Sequence, residues 1–204
     1  MAPIIGVIIS YLAGSIPSAY IAGKLRGVDL RKHGSGNLGA TNVARVLGRK
    51  IGAAVFLADF LKGFLPVFLL PRYTETLRPD LWALIYGAAA ILGHVKPIFL
   101  LGKGGGKGVA TAGGVFMALA FIPVLITQAV WIFVFYVTRY VSLASLISAA
   151  VLPVAIFALQ RDLRSPVFIA SVVIVVFVFW THRANIARLR RGEEHRFVKK
   201  EIVS

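Results

Sequence analysis

Apolar residues come in long, nearly unbroken runs at about 3–23, 51–70, 81–101, 109–137, 143–159 and 166–181, and apart from Asp59, Lys62 and Lys96 the charged residues lie in the short stretches between them and in the tail. A hydrocarbon core about 30 Å thick takes roughly 20 helical residues at 1.5 Å each, so these runs have the length of membrane crossings. The run 109–137 is too long for one crossing and carries Pro123 near its middle. A proline inside a helix removes a backbone donor and clashes with the preceding turn, so the run is read as two short helices parted there. The pattern therefore predicts an all-α, polytopic membrane helix bundle of seven helices, forming a single domain over 1–204. No internal repeat and no low-complexity linker interrupts it.

Composition agrees with lipid as the solvent: 58% of the 204 residues are hydrophobic, 15% are charged, and the mean hydropathy is +0.81. The charge distribution adds an orientation. The first connecting loop holds Lys24, Arg26, Arg31, Lys32, Arg45, Arg49 and Lys50 against Asp29 alone, which predicts a cytoplasmic loop and an external N-terminus. The next loop balances Arg72 and Arg78 with Glu75 and Asp80, as an external segment does. One crossing over 109–137 would leave the tail outside, although it holds Arg183, Arg188, Arg190, Arg191, Arg196, Lys199 and Lys200. Two short tilted spans or a re-entrant hairpin equally bring it inside, with the C-terminus in, and gather GSGNLGATN, KGGGKG, YVSLAS and HRAN on one cytoplasmic face. The first run has no basic residue before it and no cleavage site after it, so it is expected to be a membrane helix and not a removable signal.

Several chemistries are excluded. The net charge of +15 comes with no nucleic-acid motif, so no nucleic-acid partner is expected. The absence of cysteine excludes disulfides, thiolate catalysis and Cys-ligated zinc. There is no HExxH, no carboxylate cluster and no GxSxG, and no histidine is followed five positions later by aspartate. Neither a metal nor a cofactor is expected.

The segment HGSGNLGATNVARVLGRK, residues 33–50, reads as an anion cradle. Gly34, Gly36 and Gly39 let backbone amides approach a ligand, Ser35, Asn37, Thr41 and Asn42 add side-chain donors, and the helix that follows adds its positive end. Arg45, one helical turn beyond Thr41, supplies a two-pronged phosphate contact. The plainer alternative is an ordinary cytoplasmic loop with a helix cap, which needs neither three glycines nor so many donors. A second cradle, Lys103–Gly108, sets Gly105, Gly106 and Gly108 beside Lys103 and Lys107, although it fails the Walker pattern. Taken singly, each lysine reads as a headgroup anchor; two such cradles on one face suggest two phosphate groups held near each other. His182, Arg183 and Asn185 form a cluster suited to hydroxyl and phosphate oxygens, though a boundary histidine is commonly a bystander. Ser142 and Ser145 either bond a ligand or pack helices. Asp59 and Lys62, one turn apart inside the second run, are expected to neutralise each other, and His94 to be a buried hydrogen-bonding group.

At these motifs the sequence resembles the bacterial PlsY family, membrane glycerol-3-phosphate acyltransferases that use acyl phosphate. GSGNLGATNVARVLG, LADFLKGFLP, GHVKP, the glycine/lysine loop with GVATA, YVSLAS and HRANIARL stand in the family's order and nearly at its spacing. The resemblance implies a seven-helix bundle in the bacterial cytoplasmic membrane with its active site facing the cytoplasm. It implies transfer of a fatty acyl group from acyl phosphate to the 1-hydroxyl of sn-glycerol 3-phosphate, giving lysophosphatidic acid and phosphate as the first acylation of phospholipid synthesis. By matching position, Ser35, Arg45, Ser142, His182 and Asn185 would surround glycerol phosphate and the reacting centre, and the glycine loops would hold acyl phosphate. Membrane lipids and an enzyme that forms acyl phosphate are the partners implied. The family's KGGK reads KGGGK here, which leaves the roles of Lys103 and Lys107 interchangeable. The rival reading, a small organophosphate or anion transporter, asks for related halves and a site open to both faces; the sequence has neither.

Overall fold

In the computed structural model of the chain, residues 1–197 are described; all are in helices, turns or loops, with no strand among them. Lys199 and Lys200 lie outside the described residues. The chain divides into two compact units, Met1–Phe121 and Ile122–Ser204. The first unit contains α1 (Pro3–Ser15), α2 (Ser18–Leu25), α3 (Ala40–Val46), α4 (Arg49–Leu69), α5 (Pro79–Val95) and α6 (Val109–Leu119). Residue Phe121 opens α7 (Phe121–Thr138), and the second unit continues through α8 (Val141–Gln160), α9 (Pro166–Thr181) and α10 (Arg183–Arg190).

Among the described residues five segments are long and apolar enough to cross a membrane: Pro3–Leu25, Arg49–Tyr73, Pro79–Leu100, Phe121–Thr138 and Val141–Gln160. A sixth arises if α9 and α10, bent by 61° from one another, count as one span. The remaining apolar helix is α6, with 11 residues. The long apolar run does break in two, but at Ala120 and not at Pro123. Pro123 is the third residue of α7, a first-turn position where its missing N–H has no intrahelical partner to lose. The first run contains a break that its hydropathy does not reveal. Pro17 forces Ile16 into extended backbone, at φ −59° and ψ 114°, and separates α1 from α2.

Large apolar side chains face outward and small or polar ones face inward. Phe133, Val173 and Val176 are each more than 60% exposed, whereas Ser10, Asp59, Thr111 and Ser171 are buried. Lipid does not drive helices together as water does, so association needs close backbone approach. Glycine provides it. A Cβ on Gly14 would strike the Ala90 carbonyl and one on Gly93 the Tyr11 carbonyl, which locks α1 on α5. In the same way Gly63 meets the Thr111 carbonyl and Gly114 the Phe60 carbonyl, joining α4 to α6.

Candidate active site

The first unit builds the two glycine loops. Residues 26–39 double back before α3, and the turn is held from below by Asn42, which is 1% exposed. Its Oδ1 accepts from the Ser35 amide at 2.8 Å, and its Nδ2 donates to the carbonyls of Leu30 at 3.2 Å and His33 at 3.0 Å. Asn42 was expected among the ligand's donors; both its amide hydrogens are already spent, and it shapes the loop instead. Gly34 and Gly36 lie at φ 60° and 70°, a region that side chains disfavour, and a Cβ on Gly34 would collide with the Asn42 amide. Ser35 is left exposed at the crest. Gly39, in extended backbone, precedes α3, which carries Thr41 and Arg45 one turn apart, both half-buried. Asn37 is half-buried beside Gly39. Arg31 is held by both carboxylate oxygens of Asp29, at 2.9 and 3.1 Å, and its hydrogen bonds keep that carboxyl below the usual aspartate range.

The second loop runs from Lys103 to Gly108 and opens α6. Gly104 and Gly108 have φ of 75° and 82°. Gly105 lies on the last carbonyls of α5, those of His94 and Val95, and Gly106 lies on the His94 imidazole, so neither position has room for a side chain. The two loops also meet each other. A methyl on Gly106 would stand 3.1 Å from the Leu38 carbonyl, and one on Gly104 3.3 Å from the Leu38 side chain. Lys103 is exposed and Lys107 half-buried. Two amide-rich turns, each opening a helix, thus lie side by side, an arrangement suited to paired anionic groups.

Beneath the loops a small pocket is lined by the α1–α2 break, Leu38, Asp59, Lys62, His94 and Gly104–Gly106. Lys62 pairs with Asp59 at 2.8 Å inside the bundle, as the sequence predicts, and His94 Nδ1 stands 3.6 Å from the same carboxylate.

The second unit places Ser142 and Asn185 around a residue that the sequence reading did not single out. Glu194, with its side chain 7% exposed, accepts hydrogen bonds from Ser142 Oγ at 3.1 Å, Asn185 Nδ2 at 2.7 Å and Arg188 Nε at 2.8 Å. It gathers the start of α8, α10 and the chain beyond α10. Its sequence context, RRGEEHR, offered a faint signal, but nothing in it tells Glu194 from Glu193, which makes an exposed pair with Arg191 at 2.7 Å. His182, 3% exposed, sits at the α9–α10 bend with Nδ1 2.8 Å from the Val178 carbonyl, which fixes the proton on that nitrogen. Ser145 accepts from Trp131 Nε1 at 3.2 Å, so it serves packing.

Burial alone raises the Glu194 carboxyl, but hydrogen bonds from Asn185, Arg188 and Ser142 outweigh it and hold it below the usual 4.5. A depressed carboxyl contributes stability that is full above its ordinary value and is lost as pH falls through its folded value. Thermal unfolding in detergent should therefore show an unchanged contribution from pH 7 to 5 and a loss only below about 4.5. Glu194→Ala should cost about 1–3 kcal/mol at neutral pH and shrink that acid step. An identical acid limb in the variant would contradict the assignment.

The family model described as glycerol-3-phosphate acyltransferase matches residues 4–192. The glycerol-3-phosphate acyltransferase of Geotalea daltonii is 44% identical over 194 residues, covering 95% of this chain and 97% of the relative. That of Geobacter sulfurreducens is 46% identical over 190 residues, with coverage of 93% and 94%. The crystal structure of PlsY, an integral membrane glycerol 3-phosphate acyltransferase, in its glycerol 3-phosphate form superposes with a TM-score of 0.88 at 41% identity, covering 96% of each chain. Its lysophosphatidic acid form gives 0.84 at 40% identity, over 96% of this chain and 95% of that one. With a family match over residues 4–192, relatives 44–46% identical along nearly the whole chain and an integral membrane structure that superposes on 96% of it, the chain belongs to the PlsY family of integral membrane glycerol-3-phosphate acyltransferases.

Proposed function

We propose that this acyltransferase takes its acyl group from acyl phosphate and delivers it to the 1-hydroxyl of sn-glycerol 3-phosphate, releasing lysophosphatidic acid and inorganic phosphate. The observation that carries the reading is the contact of the two glycine loops at Leu38, which suits two phosphate-bearing reactants held close together. In this reading Gly34, Gly36, Gly39, Gly105, Gly106 and Gly108 present backbone amides. Ser35, Asn37 and Thr41 add donors, and Arg45, Lys103 and Lys107 supply positive charge. Ser142, His182 and Asn185 of the second unit are assigned catalytic roles by their match to the family's motifs.

Acyl phosphate is a mixed anhydride, so its carbonyl carbon is already electrophilic. The substrate hydroxyl oxygen bonds to that carbon, the carbon–oxygen bond to phosphate breaks, and phosphate leaves with the electron pair. The hydroxyl proton passes to a phosphate oxygen of a substrate. No protein nucleophile is needed; amides and cations offset the charge that develops. The reading further places seven crossings in the bacterial cytoplasmic membrane, the N-terminus outside and the C-terminus inside, with glycerol phosphate arriving from the cytoplasm. The acyl tail lies among lipid-facing side chains, and the donor comes from a separate acyl-phosphate-forming enzyme.

The test is incubation of purified protein with acyl phosphate and labelled glycerol 3-phosphate. Labelled lysophosphatidic acid should accumulate, and acyl-CoA should not replace the donor. Equal rates with acyl-CoA, or no product from acyl phosphate, would overturn the proposal.

A further inference from the structure

The buried Asp59–Lys62–His94 cluster is unused by the proposed chemistry, yet it joins two distant parts of the first unit. Pro17 cannot donate a backbone hydrogen bond, and the break it causes turns the Ile16 carbonyl away from α1. Lys62 Nζ donates to that carbonyl at 2.8 Å and contacts Asp59 Oδ1 at 2.8 Å. Asp59 Oδ1 in turn faces His94 Nδ1 at 3.6 Å. The opposite edge of the same imidazole, at Nε2 and Cε1, fills the space that a side chain on Gly106 would need. All three residues are less than 9% exposed.

This order of contacts has a direction. A lysine and a carboxylate within the bundle hold each other because either alone would be an uncompensated charge in a low dielectric. The pair is therefore a fixed point, tied to the first span by Ile16. A carboxylate beside one imidazole nitrogen favours the tautomer with the proton there and orients the ring. At 3.6 Å the contact is longer than a hydrogen bond, so Asp59 acts on the ring through its charge. Gly106 stands beside Nε2, and the same imidazole lines the small pocket beneath the loops.

We infer that His94, anchored by the Asp59–Lys62 pair, is a positioning residue that sets the shape of the glycine–lysine loop for its anionic substrate. The inference rests on the proposed assignment of acyl phosphate to that loop. It goes beyond that assignment by naming the buried groups on which the loop's shape depends.

A double-mutant cycle of His94→Ala and Gly106→Ala tests it, with kcat and both KM values measured after wild-type use of acyl phosphate has been established. Each single variant should raise KM for acyl phosphate by about tenfold, the scale of losses on removing a residue that orients a binding group. KM for glycerol 3-phosphate and kcat should change less than about threefold, a split that general loosening of the bundle would not produce. In the double variant the new methyl enters the space the imidazole vacates, so its KM should fall below that of either single variant. Effects that simply multiply, or equal rises in both KM values, would overturn the inference. Non-additivity with the rise confined to glycerol 3-phosphate would sustain His94 in its role and overturn only the identity of the substrate in this loop. Should His94→Ala fail to fold, Gly106→Ala decides alone: an unchanged KM for acyl phosphate would end the proposal.

Discussion

Arg45→Ala should lower kcat/KM for glycerol 3-phosphate by about 10²- to 10³-fold, the loss typical of removing one preorganised electrostatic contact from a water-poor site. The residue stands on α3, one turn beyond Thr41 and just past the first cradle. A guanidinium there offers a phosphate two parallel hydrogen bonds, whereas the cradle amides offer only partial charges. The buried Asn42 and Val43 seat α3. The purified variant should thus keep its thermal stability and elution profile. Arg45→Lys should fall between alanine and wild type, because an ammonium restores the charge without the fork. A folded alanine variant with wild-type kinetics would remove Arg45 from the catalytic set.

Gly114→Leu is the complementary case, expected to abolish folding and with it all activity. The helices α4 and α6 cross where Gly114 faces the Phe60 carbonyl and Gly63 the Thr111 carbonyl, and both sites lack room even for a methyl group. The obstacle is backbone, which cannot rotate away as a side chain does, so the helices must separate. Overpacking in a soluble core costs about 1–3 kcal/mol, and a backbone collision at a crossing should exceed that. In a bilayer no hydrophobic force pulls the helices back together. The expected readout is loss of the folded, monodisperse species in detergent. A stable, active Gly114→Leu enzyme would show that this crossing is not needed.

The two variants separate what is visible in the chain from what is not. Membrane segments are legible because lipid imposes a simple rule: a stretch long enough and apolar enough crosses as a helix. The run 143–159 accordingly falls within α8, Val141–Gln160. The split of 109–137 was legible as excess length, but its location was not. Proline is tolerated in a first turn, so Pro123 begins α7 and Ala120 makes the break. Pro17 gave the converse lesson: hydropathy runs straight through it while the backbone does not.

The candidate site divides in the same way. Glycines beside hydroxyls and cations point to a phosphate cradle because few other uses need that composition; the sequence by itself determined the all-α membrane fold. It could not say that Asn42 spends its amide on the loop, that Glu194 and not Glu193 turns inward, or that His94 lies under Gly106. Each depends on which polar atom is left without water once remote segments pack, and that is decided by tertiary contacts between residues far apart in the chain.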